Sequence, residues 1–448
     1  MPKKNYGRAA KSCRRTVVLA ATALAGLAAV PALASAAGTV FVGTEPVKGP
    51  FNSCATPGYK GIGEAIAANP AKTTIHVCAG AYKEQVRIEK AVSIVADAGA
   101  KLQLPASPAN STTTCDVQEP GKDEQQDLVT ICGAGKVKIS GLTLEGRWTE
   151  VNCAKDFNDI MVGGNSSLTL SESKILHAGL EPINGCQQGI GVQVGRNKIG
   201  QVGTAKLTND LIEGYQKNGI TVDAPGSKAT ITGVTVKSSP SSEIAQNGIQ
   251  VSRGAVAKIK GSTIEGNECN VGSCGGNKGF SPFQEEEDST GILFYLGGSG
   301  SSVKGSSING NDIGIYNLLR GSESATTTIS SNTMKGNRYW GVALDQGSAK
   351  ITNNTISGPG LVGIQIVQYD EAHQGLETVP GQEFGAKGTG KSDTISGMTA
   401  CALEGLSDNG AKDPFASLTI TKSLSKFSGN ATEICNNNTT SKLLISLT

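Results

Sequence analysis

Between residues 189 and 366 the chain repeats one short pattern seven times: glycine, an aliphatic residue, a variable position and a second, mostly apolar position. The copies are Gly189-Ile190-Gly191-Val192, Gly219-Ile220-Thr221-Val222, Gly248-Ile249-Gln250-Val251, Gly291-Ile292-Leu293-Phe294, Gly314-Ile315-Tyr316-Asn317, Gly341-Val342-Ala343-Leu344 and Gly363-Ile364-Gln365-Ile366. Their glycines are 30, 29, 43, 23, 27 and 22 residues apart, and self-similarity at such a period marks a solenoid. A second apolar alternation accompanies each copy, as in Val137-Lys138-Ile139-Ser140-Gly141-Leu142-Thr143-Leu144, Ala229-Thr230-Ile231-Thr232-Gly233-Val234-Thr235-Val236 and Lys350-Ile351-Thr352-Asn353-Asn354-Thr355-Ile356. Each repeat therefore predicts two short strands around a small residue, a bend often written Gly-Asn (266–267, 310–311, 336–337), and a third strand at the glycine tag. A unit of roughly 22 residues cannot bury its own apolar face but can do so against copies of itself. Stacking in parallel with right-handed crossovers makes the predicted fold an all-β, single-domain right-handed parallel β-helix.

Ahead of the repeats, Thr39-Val40-Phe41-Val42 alternates like a strand, and residues 61–68 carry apolar positions at helical spacing until Asn69-Pro70 ends them. This predicts a short N-terminal helix near 62–68 capping the first coil. The following stretch, Ile75-His76-Val77-Cys78-Ala79-Gly80-Ala81-Tyr82-Lys83-Glu84-Gln85-Val86-Arg87-Ile88, resembles the opening of the pectin methylesterase and pectate lyase superfamily: an Ile-x-Val strand, a Gly-x-Tyr turn and a Glu-x-Val-x-Ile strand. The resemblance covers about residues 61–95 and implies the β-helix fold. It implies no activity, because the Asp-Phe-Ile-Phe-Gly and Gly-Arg-Pro-Trp stretches that carry that family's chemistry have no counterpart, and neither does the Gly-His-Gly of polygalacturonases.

Residues 1–36 stand apart. Six basic residues, an apolar run from Val17 to Val30 and small residues at Ala32-Leu33-Ala34 and Ala34-Ser35-Ala36 read as a cleavable export signal, with Arg14-Arg15 fitting either a twin-arginine or an ordinary basic region. The expected divisions are the signal at 1–36, a cap and first coils at 38–100, the main helix at 101–392 with loop insertions near 268–290 and 369–391, and C-terminal coils at 393–448. Without the signal, 34 basic residues face 38 acidic ones, which argues against a nucleic-acid partner. No later stretch has the ~18 apolar residues a membrane span needs, so a secreted, monomeric protein is expected. Ten cysteines remain, an even number that suits an oxidising compartment. Because each coil lies beside its sequence neighbours, they are paired consecutively: Cys54 with Cys78, Cys115 with Cys132, Cys153 with Cys186, Cys269 with Cys274, and Cys401 with Cys435.

Candidate chemistry follows from alternation within the tags, which points the variable positions outward. One outward column reads Gly191, Thr221, Gln250, Leu293, Tyr316, Ala343 and Gln365; beside it run Gln193, Asp223, Ser252, Tyr295, Leu318, Asp345 and Val367. Polar groups interleaved with aromatics suit a sugar chain, so Asp223, Gln250, Tyr295, Tyr316, Trp340 and Gln365 are the expected polysaccharide-binding residues, an ordinary solvated face being the alternative. Glycoside hydrolysis needs two carboxyls about 5–10 Å apart, whereas Asp223 and Asp345 are four coils, about 19 Å, apart. A catalytic pair would thus combine Asp345 with Asp370 or Glu371 from the loop after the last tag. The run Glu285-Glu286-Glu287-Asp288 is the candidate Ca²⁺ ligand set, and no other cofactor is implied. The functional expectation is a secreted polysaccharide-binding β-helix, with a lyase or hydrolase acting on polyuronate-type glycans as the alternative.

Overall fold

The computed structural model describes residues 38–45, 53–110, 115, 124–149, 153, 155–239, 244–270, 288–320, 325–345, 347–368, 387–407, 417–437 and 445–448. Among the described residues of the unit Ala37–Thr448 the strands form three parallel sheets. The first has 14 strands, from Thr39–Val42 to Ile445–Leu447; the second has 12, from Val86–Ile88 to Thr432–Asn437; the third has 12, from Gly80–Lys83 to Lys426–Ser428. Each coil visits first, third and second sheet in turn. The tag strands form the second sheet, as their periodicity predicts.

Register explains why the sequence needs stacked copies. In the first sheet Ile139, Leu170, Leu207, Ile231, Ile259, Val303, Ile329 and Ile351 are successive partners. In the third, Leu144, Ile175, Ile212, Val236, Ile264, Ile308, Met334 and Ile356 do the same. All of these side chains are buried in one continuous aliphatic core. Parallel hydrogen bonding places equivalent residues about 4.8 Å apart, so each β-branched side chain packs on the one above and the one below.

The tag glycines have a packing reason. A Cβ on Gly248 would lie 2.5 Å from Ile264 Cγ2, on Gly341 2.5 Å from Ile356 Cγ2, and on Gly291 2.8 Å from Ile308 Cγ2. The third-sheet isoleucine of the following coil thus rests on the tag backbone of the coil before it, leaving no space for a methyl group. In the final coils Ala402 takes the same register position, beside Leu403.

Asparagine ladders hold the bends. At the bend into the second sheet, Asn267 Nδ2 donates to Asn311 Oδ1 (2.8 Å) and Asn311 Nδ2 to Asn337 Oδ1 (3.0 Å), each preceded by a glycine at positive φ. These are the Gly-Asn bends expected from sequence. A second ladder, between the first and third sheets, was not foreseen: the backbone amides of Ser306, Asn332 and Asn354 donate to Asn332 Oδ1, Asn354 Oδ1 and Asp393 Oδ1 at 2.9, 3.0 and 2.8 Å. Because side-chain amides both donate and accept, they satisfy the buried amides that each bend leaves outside the strands.

The N-terminal end is closed by α1 (Ile62–Ala68), which buries Ile62, Ala65 and Ile66. Gly61 offers no side-chain cap; Glu84 supplies it, accepting from the amides of Ile62 (2.6 Å) and Gly63 (3.0 Å), while Lys90 Nζ donates to the carbonyls of Asn69 (2.6 Å) and Ala67 (3.3 Å) at the other end. Tyr82 donates to the carbonyl of Cys78 (2.8 Å). The Gly-Ala-Tyr-Lys-Glu stretch that carries the family resemblance is therefore a capping device. Disulfides join Cys54 to Cys78, Cys115 to Cys132, Cys153 to Cys186 and Cys401 to Cys435, as consecutive pairing predicts. Cys269 is also disulfide-bonded; Cys274 lies outside the described residues.

Replacing Gly248 with Ala is expected to destabilise the protein by about 1–3 kcal/mol through overpacking. In the double variant with Ile264→Ala, the loss should fall short of the sum of the single losses by roughly 0.5 kcal/mol or more. Denaturant titration of the four proteins measures this, and strict additivity would refute the proposed contact.

Candidate functional site

The outer face of the second sheet is where the tags present their variable positions. Register aligns Arg87, Thr130, Met161, Gln193, Thr221, Gln250, Leu293, Tyr316, Ala343, Gln365 and Glu404 in one column. This corrects the first tag. Gln193, not Gly191, is the partner of Thr221, because the strand Ile190–Val194 pairs with Ile190 opposite Asn218. Gly189 lies before that strand at φ +93°, and Gly191 takes the place of the tag glycine. The neighbouring column runs Asp223, Ser252, Tyr295 and Leu318, with Asp345 partnered to Val367 two positions beyond Ala343.

The face is not uniformly open. Thr130, Gln193, Thr221, Asp223, Asp345 and Gln365 are buried, whereas Gln250, Leu293, Tyr295, Tyr316 and Leu318 are partly exposed. The last five occupy three consecutive coils, with Leu293 beside Tyr316 and Tyr295 beside Leu318. They make a short platform of two aromatic and two aliphatic side chains edged by an amide.

Polar groups around the platform are held by one another. Gln250 Oε1 accepts from Asn218 Nδ2 (3.0 Å), and its Nε2 donates to Ser252 Oγ (3.3 Å). Ser252 Oγ donates to Asp223 Oδ1 (3.0 Å), Arg253 Nη1 lies 3.3 Å from the same oxygen, and the Asn197 amide donates to Asp223 Oδ2 (2.7 Å). With both oxygens engaged, Asp223 is an organiser of the face rather than a group free to meet a ligand. The same Arg253 guanidinium lies 5.4 Å from the centre of the Tyr295 ring, fixing that ring by a cation–π contact.

Asp345 is the chemically distinctive member. Tyr316 donates its hydroxyl to Asp345 Oδ2 (3.1 Å), and Oδ1 has no hydrogen-bond partner among the described residues. Burial pushes the carboxyl up to about 7, and the Tyr316 bond offsets only part of that effect. Glu404, the next polar residue of the column beyond Gln365, accepts from Gln365 Nε2 (2.9 Å), and burial raises its carboxyl as well.

Other expected residues fall elsewhere. Trp340 is only 6% exposed, packed with Ile313, Tyr339, Ala343, Val362 and Cys401 in a secondary apolar cluster, so it is no open sugar platform. Arg338, beside it, lies 3.0 Å from the buried carboxyl of Asp312. Asp370, Glu371 and the run from Glu285 to Glu287 lie outside the described residues, and Asp288 is partly buried. Among the described residues, the one compact set of metal-ligating types is Cys54, Cys78 and Asp97, whose two cysteines are joined to each other. Sequence reasoning missed Glu404 and Arg253. Glu404 could have been found by continuing the tag into Cys401-Ala402-Leu403-Glu404, where alanine stands for glycine.

The buried carboxyl gives a pH prediction. Native Asp345 keeps its proton up to about pH 7, while the unfolded carboxyl releases it near 3.8. Between these values the native state binds more protons, so stability falls as pH rises, by up to about 4 kcal/mol from this group alone. Asp345→Asn cannot ionise in either state. Its stability relative to the parent should therefore increase from pH 4 to pH 8 in denaturant titrations; a constant difference would contradict the assignment.

Comparisons with known proteins concern the same solenoid. The family model described as "Right handed beta helix region" matches residues 198–374. No curated protein matches the chain in sequence. Among solved structures, it is similar to the Azotobacter vinelandii mannuronan C-5 epimerase AlgE6 A-module (12% identity, 86% of this chain and 92% of that one, TM-score 0.46). It is also similar to a double mutant of the periplasmic alginate epimerase AlgG (11% identity, 87% and 82% covered, TM-score 0.48) and to XylC in complex with xylose (10% identity, 84% and 76% covered, TM-score 0.49). The site is therefore read from its own residues. With three parallel sheets wound through every coil and the family match across its centre, the chain is a right-handed parallel β-helix protein.

Proposed function

We propose that this protein is exported and binds extracellular polysaccharide along the outer face of its second sheet. The observation that carries the reading is the platform of Leu293, Tyr295, Tyr316 and Leu318 with Gln250 at its edge, partly exposed in three consecutive coils. Sugar rings present apolar C–H faces that rest on aromatic side chains, while their hydroxyls bond to amides and carboxyls at the margins. The fixed ring of Tyr295 and the hydroxyl bond of Tyr316 reduce the entropy lost on binding. The leader-like residues 1–36 and the four described disulfides support an oxidising, extracytoplasmic setting.

Asp345 favours a second reading, a lyase or hydrolase acting on polyuronate-type glycans. A carboxyl that titrates near 7 is poised to give or take a proton at physiological pH. Glu404 lies two coils away and two residues along its strand, about 12 Å in all and beyond the range for a hydrolytic carboxyl pair, so on this reading Asp345 acts with a group other than Glu404.

The test is retention of the mature protein on insoluble polysaccharides, followed by titration with soluble oligosaccharides. Tyr316→Ala and Tyr295→Ala are each expected to weaken binding roughly tenfold or more, the scale of an interface anchor, measured at a temperature where circular dichroism shows each variant folded. Equal binding by all three proteins would refute the platform. Incubation with pectate and alginate, with and without Ca²⁺, separates the readings: unsaturated products or new reducing ends that vanish in Asp345→Asn establish the enzyme, and their absence alongside retention leaves the binder.

A further inference from the structure

At its N-terminal end the outward column reaches Arg87, in register with Thr130. There the face opens into a cavity of about 680 Å³ against α1. Arg87 is exposed, and no hydrogen bond or ion pair engages it among the described residues. The other arginines with described side chains are all paired: Arg147 with Glu145 and Glu181, Arg196 with Asp156, Arg253 with Asp223, and Arg338 with Asp312.

The remaining polar groups of the cavity are largely spoken for. Lys90 is held by the carbonyls closing α1. Gln85 Nε2 donates to the carbonyls of Ala109 (3.0 Å) and Asp127 (2.8 Å), and its Oε1 accepts from the Ala109 amide (2.6 Å). The Asp127 carboxyl accepts from Asn158, Gln125 and Thr130. What is left is the planar fork of Arg87, matched to a carboxylate or sulfate, and the exposed carboxylate of Glu89, which can accept hydroxyls. Exposed Ala67 supplies an apolar wall.

We propose that this cavity is a subsite for a single anionic substituent, carboxylate or sulfate ester, on a sugar of an otherwise neutral glycan. The proposal rests on the polysaccharide reading above and adds a chain direction and charge pattern to it. From Arg87 the column continues through uncharged Thr130, Met161, Gln193 and Thr221 to the platform, and beyond the platform, past Ala343 and Gln365, it reaches the carboxyl of Glu404. A uniformly anionic polymer would gain at one end and be opposed at the other. A glycan with a lone acidic sugar gains at Arg87 without that opposition.

The test uses the mature protein and three monosaccharides, glucuronate, galactose 6-sulfate and glucose, in ligand-observed NMR titrations at low and high salt. The expected result is binding of glucuronate, galactose 6-sulfate or both in preference to glucose, weakened by salt. The Kd should rise at least tenfold in Arg87→Gln and fall in Glu89→Gln, which removes a neighbouring negative charge. Comparing the two anions distinguishes carboxylate from sulfate ester recognition. No preference for either anion, or the same preference in Arg87→Gln, overturns the proposal. Tyr316→Ala should leave anion binding unchanged, so failure of the platform and failure of this subsite are read separately.

Discussion

Everything in this molecule depends on one constraint, that equivalent residues of successive coils stand directly above one another at the parallel-strand spacing. Backbone hydrogen bonds impose it, and the aliphatic columns of the first and third sheets make it favourable, since each isoleucine or valine packs on its counterparts above and below. The tag glycines belong to the same constraint. The third-sheet isoleucine presses on the tag backbone closely enough to exclude a Cβ at Gly248 and Gly341. The repeat is thus a packing rule between the tag of one coil and the third-sheet strand of the next, repeated along the stack.

Stacking also decides where polar groups can go. Inside, bends leave amides with no strand partner, and the chain answers with asparagine columns in which each amide serves the coils on either side. Outside, the same registration turns variable tag positions into straight columns. A long outer face with a defined direction follows from the geometry of the core, and its chemistry is set by the variable residues. Tyr316 and Asp345 meet across neighbouring coils because one is in the column of Ala343 and the other two positions along the next strand.

How much of this is legible in sequence varies by level. The architecture was, because periodicity in glycine and isoleucine reports core packing directly; so were the helix at 62–68 and the four described disulfide pairings, because neighbours in a solenoid are neighbours in sequence. Register was less secure. Gly189-Ile190-Gly191-Val192 offers two glycines in alternate positions, and only the pairing with Asn218 shows that Gly191 is the one under the core. Burial on the outer face was not legible at all: alternation says which way Asp345, Gln365 and Trp340 point, and cannot say that they are covered. Nor could it show that Asp223 is already engaged by Ser252, Arg253 and Asn197, since Arg253 and Asn197 lie outside the tags.

The central claim is that the partly exposed tyrosine and leucine positions of the second sheet form a glycan-binding floor. The most direct measurement is a crystal structure of the mature protein with a retained oligosaccharide. Sugar rings are expected over Tyr295 and Tyr316, with the glycan chain running along the stacking axis. A glycan bound on the first or third sheet, or across the stacking axis, would contradict it.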